Sequence, residues 1–160
     1  MSSNDYQARI RTPFAVLGMR ANDQFLTGID FLPQGTPILT PRKNSIAHLA
    51  CVQLQFYLED PRFEFDLPVK LKGSVHQLRV WEALRRIPSG AVQTYGELAR
   101  PLNSAAIAVG QACGANPIPI VVPCHRVVGA RGGLGGFMGS GDGDPLDIKR
   151  WLLRHEGVAI

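Results

Sequence analysis

The chemistry in this 160-residue chain gathers around one cysteine. Cys124 follows Pro123 at the end of an apolar run and precedes His125 and Arg126. Two potential cations beside a thiol favour the thiolate, which is the nucleophilic form. The alternative for any single cysteine is a buried packing residue, and that is how Cys51 and Cys113 read, each on an apolar helical stretch. Adjacency restricts what Cys124 and His125 can do together. In extended backbone, neighbouring side chains point to opposite faces, so a relay through a bound water fits better than direct contact. A carboxylate must then orient the imidazole. Glu156 is a candidate, although its position alone does not separate it from a solvated acid at a helix end. Metal binding is the rival use of Cys and His. His48 and Cys51 lie about one helical turn apart, but two ligands do not close a site and no paired CxxC exists, so neither metal nor cofactor is assigned.

The elements that must position these residues fall into two halves. Residues 1–70 carry seven basic and seven acidic side chains, while residues 71–160 carry ten against six, so the net charge of +4 lies entirely in the second half. An anionic partner should meet that half. Residues 101–125 hold no Asp, Glu, Lys or Arg, but Gln111, Asn116 and the prolines at 117, 119 and 123 argue against a membrane span. Three irregularly spaced cysteines and an N-terminus without an apolar signal core lead us to expect a cytoplasmic protein with reduced thiols.

The first half reads as α+β. Runs at 14–19 and 25–31 suit a hairpin, and Asn44 is placed to cap a helix through about Leu58, with Ile46, Leu49, Val52 and Phe56 at helical spacing. Asp60-Pro61 ends it. In the second half Ser74 caps a helix to Arg86 with Val75, Leu78, Trp81 and Leu84 toward the core. Thr94-Tyr95-Gly96-Glu97 has the form of a capping box. Pro101 stops that short helix, and Ser104 is placed to cap another over 105–113. Two short helices joined by a tight turn resemble a helix-turn-helix, although most such pairs are merely packed together. Residues 118–122 read as a buried extended run. A loop over 129–143 holds eight glycines and ends in a lengthened Asp142-Gly143-Asp144 segment. The last helix follows, with Ile148, Trp151, Leu152 and His155 on one face and Gly157 after it.

Tyr95-Gly96-Glu97-Leu98-Ala99, Ala108-Val109-Gly110, Asn116-Pro117, Pro123-Cys124-His125-Arg126-Val127-Val128, Gly135-Gly136-Phe137 and Leu152-Leu153-Arg154-His155-Glu156-Gly157 occur in the order found in O6-alkylguanine-DNA alkyltransferases. Residues 74–160 resemble that family. The resemblance implies an α+β protein. Residues 1–70 would form an α/β, ribonuclease-H-like domain, and 71–160 a helical domain with a winged-helix-like helix-turn-helix.

It also implies roles. Cys124 would take the alkyl group from guanine O6 in a single-turnover displacement. His125, oriented by Glu156, would draw the thiol proton through water, and Tyr95 would donate to guanine N3. The carbonyls of Cys124 and Val127 would read the guanine amino group, Met138 backbone would reach O6, Phe137 would line the alkyl pocket and Asn116 would brace the turn before the nucleophile. O4-alkylthymine is a further substrate the family implies. The partner would be double-stranded DNA, bound by a monomer. Ala106, Ile107 and Gln111 would meet its groove, and Arg85, Arg86, Arg100 and Arg131 its phosphates.

One departure stands out. Where the family carries Arg in the helix that enters the base stack, this chain has Ile107, and the stretch from 95 to 107 is about two residues shorter than the family pattern. Apolar wedges also unstack base steps, so the expectation is nucleotide flipping that is retained but weaker. Two other readings compete. A sensor of alkylated DNA would lack the reactive cysteine, and a transcription regulator would need base-reading hydrogen bonds that this uncharged helix hardly offers.

Overall fold

The computed structural model describes residues 5–138 and 144–160. The chain divides into two compact units, Met1–Leu71 and Lys72–Ile160. The Asp142-Gly143 part of the lengthened segment lies outside the described residues.

The first unit is a meander of β1 (Ala8–Arg11), β2 (Val16–Ala21) and β3 (Leu26–Leu32), paired antiparallel in that order. Strand β1 is not among the expected elements, although Ala8-Arg9-Ile10-Arg11 alternates apolar and charged residues, because four residues are a short signal. Between β2 and β3, the Asn22 carboxamide accepts from the backbone N–H groups of Gln24 and Phe25, which closes the hairpin turn. Helix α1 (Ile46–Glu59) packs on this sheet. Its cap is Ser45, which accepts from His48 N–H, whereas Asn44 sits in the left-handed region at φ 63°. The buried face is also not the one the large apolar residues mark. Ala47, Ala50, Cys51, Leu54 and Tyr57 face inward, while Leu49, Val52 and Phe56 are exposed and Phe56 stacks on Phe63. Small side chains let the helix lie close to the sheet, and helix α1 is apolar enough all round for packing to choose the face.

The second unit begins with α2 (Val75–Leu84). Ser74 and Gln77 form a reciprocal capping box at its start. Val80, Trp81 and Leu84 are buried, but Val75 and Leu78 are exposed, which corrects the expected face. Trp81 fixes α2 by donating from Nε1 to the Ala112 carbonyl at 2.8 Å. Then come β4 (Gln93–Thr94), α3 (Tyr95–Ala99) with its Thr94–Glu97 capping box, and α4 (Ala106–Gly114). Ala105, with no side-chain bond, occupies the cap of α4, because the Ser104 hydroxyl is engaged by His76 Nε2 at 2.8 Å.

Residues 118–122 are not extended. Val122 N–H donates to the Ile118 carbonyl, and Ile120 stands at φ 74°, a left-handed conformation that costs a β-branched residue on the order of 1–3 kcal/mol. Cys124–Arg126 then form one turn of 3-10 helix, leading into β5 (Val127–Val128), which pairs parallel with β4. Helix α5 (Asp144–His155) closes the unit, and Gly157 at φ 87° ends it. Its buried residues are Ile148, Lys149, Leu152 and Leu153, with Glu156 just beyond. Trp151 and His155 are half-buried and stack on each other at 4.8 Å, so the core face is rotated from the one expected. No described helix is long and apolar enough to cross a membrane.

Candidate active site

Cys124 opens the 3-10 turn, held there by backbone bonds from its own N–H to the Val122 carbonyl and from Val127 N–H to its own carbonyl. Asn116 ties down the preceding turn. Its Nδ2 donates to the Val122 carbonyl at 2.8 Å and its Oδ1 accepts from Ile118 N–H at 3.0 Å. The thiol faces a cavity of about 790 Å³ whose wall includes Tyr95, Ile107, Cys113, Phe137 and Met138. Ala106, Gly110, Gln111 and Gly114 complete the α4 side of its rim.

His125 lies in the same turn and is completely buried. Its Nε2 is 2.8 Å from Glu156 Oε2. Arg126 binds the same carboxylate twice, from Nε at 2.9 Å and Nη2 at 3.0 Å, and its Nη1 donates to the Ile87 carbonyl. Glu156 is therefore no solvated acid at a helix end. Burial alone would raise its pKa, but the His125 and Arg126 hydrogen bonds and charges hold it well below the usual carboxylate range. An ionised Glu156 only accepts, which assigns the proton to His125 Nε2 and leaves Nδ1 as the acceptor nitrogen. Among the described residues, Nδ1 is the buried side-chain polar atom with no hydrogen-bond partner in the protein. Burial also lowers the His125 pKa against the pull of Glu156, so the ring is neutral near pH 7.

The thiol differs from the expectation. Burial pushes Cys124 up to about 11, against weaker lowering by the Asn116 side chain and the Lys149 cation. The sequence-adjacent cations do not make a standing thiolate, because His125 is neutral and Arg126 is committed to Glu156.

Tyr95, half-buried at the start of α3, donates from its hydroxyl to the Gly136 carbonyl at 3.3 Å, and burial raises its pKa to about 12. Its ring lies so close to Gly135, at φ 72°, that a Cβ there would come within 2.7 Å of it. Only glycine fits, so the glycine-rich loop is shaped around Tyr95. Met138 also takes a positive φ, 51°, where its backbone turns at the cavity wall. Phe137 is buried against the cavity. The Val127 carbonyl accepts from Lys149 Nζ at 2.7 Å, and like the Cys124 carbonyl it retains a second lone pair.

Ile107 is 78% exposed on the first turn of α4. Ala106 and Gln111 are exposed beside it, and Arg85, Arg86, Arg100 and Arg131 are all exposed, with Arg86 loosely paired to Glu82. Two contributors were not singled out from the sequence. Cys113, read as packing, lines the same cavity as Cys124. Lys149, fully buried, was passed over, although Lys149, Leu152, Leu153 and Glu156 follow the i, i+3, i+4, i+7 pattern of one helix face. No group of three or more potential metal ligands occurs among the described residues.

Comparison with known proteins gives a consistent result. The model for "6-O-methylguanine DNA methyltransferase, DNA binding domain" matches residues 75–158. A methylated-DNA–protein-cysteine methyltransferase of Mycolicibacterium paratuberculosis is 41% identical over 152 residues, covering 92% of this chain and 89% of that one. One from Methanosarcina acetivorans is 36% identical over 158 residues, covering 95% and 98%. The crystal structure of Mycobacterium tuberculosis OGT in complex with DNA superposes with a TM-score of 0.79 at 37% identity, over 93% of this chain and 91% of that one.

Proposed function

The chain belongs to the 6-O-methylguanine DNA methyltransferase family, and on that premise we propose that Cys124 is the residue that accepts the alkyl group. The protein is a methylated-DNA–protein-cysteine methyltransferase that repairs O6-methylguanine in DNA. The observation that carries the assignment is the buried Arg126–Glu156–His125 chain, which ends at an unpartnered His125 Nδ1 one residue from a thiol facing a cavity.

The thiol rests protonated, and the transfer begins when the base arrives. Cys124 Sγ attacks the carbon on guanine O6, the S–C bond forms, and the C–O6 bond breaks with its electron pair left on the base. The thiol proton passes through a water to His125 Nδ1. The resulting imidazolium is stabilised by Glu156, which Arg126 keeps ionised and fixed in place. Tyr95 leaves the Gly136 carbonyl and donates to guanine N3 as negative charge develops there. The second lone pairs of the Cys124 and Val127 carbonyls receive the guanine amino group, Met138 backbone approaches O6, and Phe137 bounds the space for the alkyl group. Asn116 keeps the turn before the nucleophile in shape. A thioether is not hydrolysed under these conditions, so each molecule acts once and needs no cofactor.

A base inside a duplex cannot reach a buried thiol, so it is flipped out, at a cost that a weakened pair lowers. Ile107, exposed at the cavity rim, takes the place of the extruded nucleotide as an apolar wedge, with Ala106 and Gln111 against the groove. Arg85, Arg86, Arg100 and Arg131 bind phosphates. The protein works as a cytoplasmic monomer on double-stranded DNA, and O4-alkylthymine is a second substrate. Residues 1–70 form a supporting, ribonuclease-H-like domain, and 71–160 carry DNA binding and transfer.

Intact-mass analysis after incubation with a duplex containing O6-methylguanine tests the assignment. A single methyl adduct that disappears in Cys124→Ala supports it. Binding without an adduct would mark a sensor of alkylated DNA instead.

A further inference from the structure

Lys149 is a buried cationic side chain that the transfer steps above leave without a task. It lies on α5 with none of its surface exposed. Among the described residues no carboxylate pairs with it, and its Nζ donates to two carbonyls instead. These are Val127, three residues after Cys124, at 2.7 Å, and Gly136, in the glycine-rich loop, at 2.8 Å. Gly136 also accepts from the Tyr95 hydroxyl, and the Lys149 ammonium stands 5.7 Å from the centre of the Tyr95 ring. One cation thus joins the nucleophile segment, the loop and the aromatic wall. A buried lysine without a counter-ion is costly, and a packing role alone would be filled better by an apolar side chain.

We infer that Lys149 is a positioning residue for alkyl transfer. It clamps the strand after Cys124 to the glycine-rich loop, so that the walls meeting the flipped base are set before it arrives, and it places a cation where the sulfur becomes negative. This rests on Cys124 being the acceptor. The geometry separates the two halves of the role. The hydrogen bonds hold Val127 and Gly136, while the charge is coupled electrostatically to Cys124, His125 and Cys113 on α4 and stands over the Tyr95 ring on α3. Burial lowers the Lys149 pKa to about 8, so the cation is present at neutral pH and weakens on the alkaline side.

Lys149→Met keeps the aliphatic stem and removes both donors and charge. Lys149→Gln keeps an N–H donor without the charge. Single-turnover transfer from duplex O6-methylguanine is followed by intact mass from neutral to alkaline pH, with thermal unfolding recorded for each protein and the adduct located by peptide mapping. Lys149→Met should slow transfer about tenfold or more near pH 7, with the gap to wild type narrowing as pH rises past about 8 and the wild-type lysine loses its charge. Lys149→Gln should recover part of the rate while showing the same narrowing of the gap with rising pH, a split that a merely structural lysine would not produce. If Lys149→Met fails to unfold cooperatively, the same two readouts on Lys149→Gln decide. Wild-type rates and an unmoved pH profile in the folded variants, with the adduct still on Cys124, overturn the inference and leave the acceptor assignment standing. An adduct on another residue of the wild type overturns both.

Discussion

The two units treat buried polarity in opposite ways. Among the described residues of Met1–Leu71 the buried polar side chains are Thr12 and Gln53, both uncharged. Thr12 closes a turn by bonding Ala15, and Gln53 pairs both its amide atoms with the backbone of Asp66. In Lys72–Ile160, Asn116, His125, Lys149 and Glu156 are buried, and three of these ionise. The Thr12 and Gln53 bonds finish a fold. The second set is too expensive to be there for packing, because burying a charge costs several kcal/mol and its pairing rarely returns more than that cost. Buried ionisable groups gathered beside the segment that carries Cys124 mark the place where the chain gives up stability for chemistry.

The largest test of this contrast is between cysteines. Cys124→Ala should remove the methyl adduct altogether, while Cys51→Ala, in the first unit, should leave adduct formation per folded molecule unchanged. Intact mass reads both. Next come Glu156 and Gln53, a buried carboxylate in the second unit and a buried carboxamide in the first. Glu156→Gln should slow transfer about 10²–10⁴-fold and destabilise by roughly 3–5 kcal/mol, since it leaves Arg126 without its carboxylate. Gln53→Ala should cost only about 1–3 kcal/mol and leave the transfer rate untouched. Denaturant melts combined with single-turnover rates separate the two, and equal effects on transfer would erase the distinction.

Acid should expose the same difference. The folded His125 pKa lies below its ordinary value of 6.5, so the unfolded chain takes up that proton first and stability falls as pH drops through 6.5. Glu156 is lowered from 4.5, so its contribution is complete above that value and is lost as pH falls below it. Melting temperature should therefore decline from about pH 6.5 and more steeply below about 4.5, and Glu156→Gln should flatten the lower part of the curve. A pH-independent melting temperature over this range would contradict the burial of the pair.

Ile107→Arg should change less, speeding transfer from duplex DNA by about tenfold while leaving reaction with a free alkylated base nearly unchanged. An unchanged duplex rate would show that the isoleucine is already an adequate wedge. Smallest is Arg100→Ala, which should weaken binding to duplexes of any sequence alike and reduce the salt slope by about one. A salt slope equal to that of the intact protein would take Arg100 off the phosphate-contacting surface.

Much of this was written locally. The Ser74 cap and the Thr94–Glu97 capping box involve residues three apart, so sequence inspection finds them and the fold keeps them. The hairpin of β2 and β3 carries its own turn signal at Asn22. Helix faces were less legible. Apolar residues surround α1, and whether Leu49 and Phe56 or Ala47 and Ala50 turn inward depends on how closely the helix approaches the sheet. On α5 the buried face includes a lysine, which a search for apolar period skips. Ser104 is a good cap by type, but His76, 28 positions earlier, takes its hydroxyl.

The sequence by itself determined the family, through the order of its motifs, and drew attention to Cys124 through its neighbours, because both signals lie within a few residues. Tertiary structure decided the electrostatics. His125 and Arg126 looked like activators of the thiol, yet both are turned to Glu156, 30 residues or so away, and Lys149, 25 positions from Cys124, supplies the positive charge that acts on it. Electrostatic energy depends on distance and burial in the folded chain, and adjacency along the backbone specifies neither.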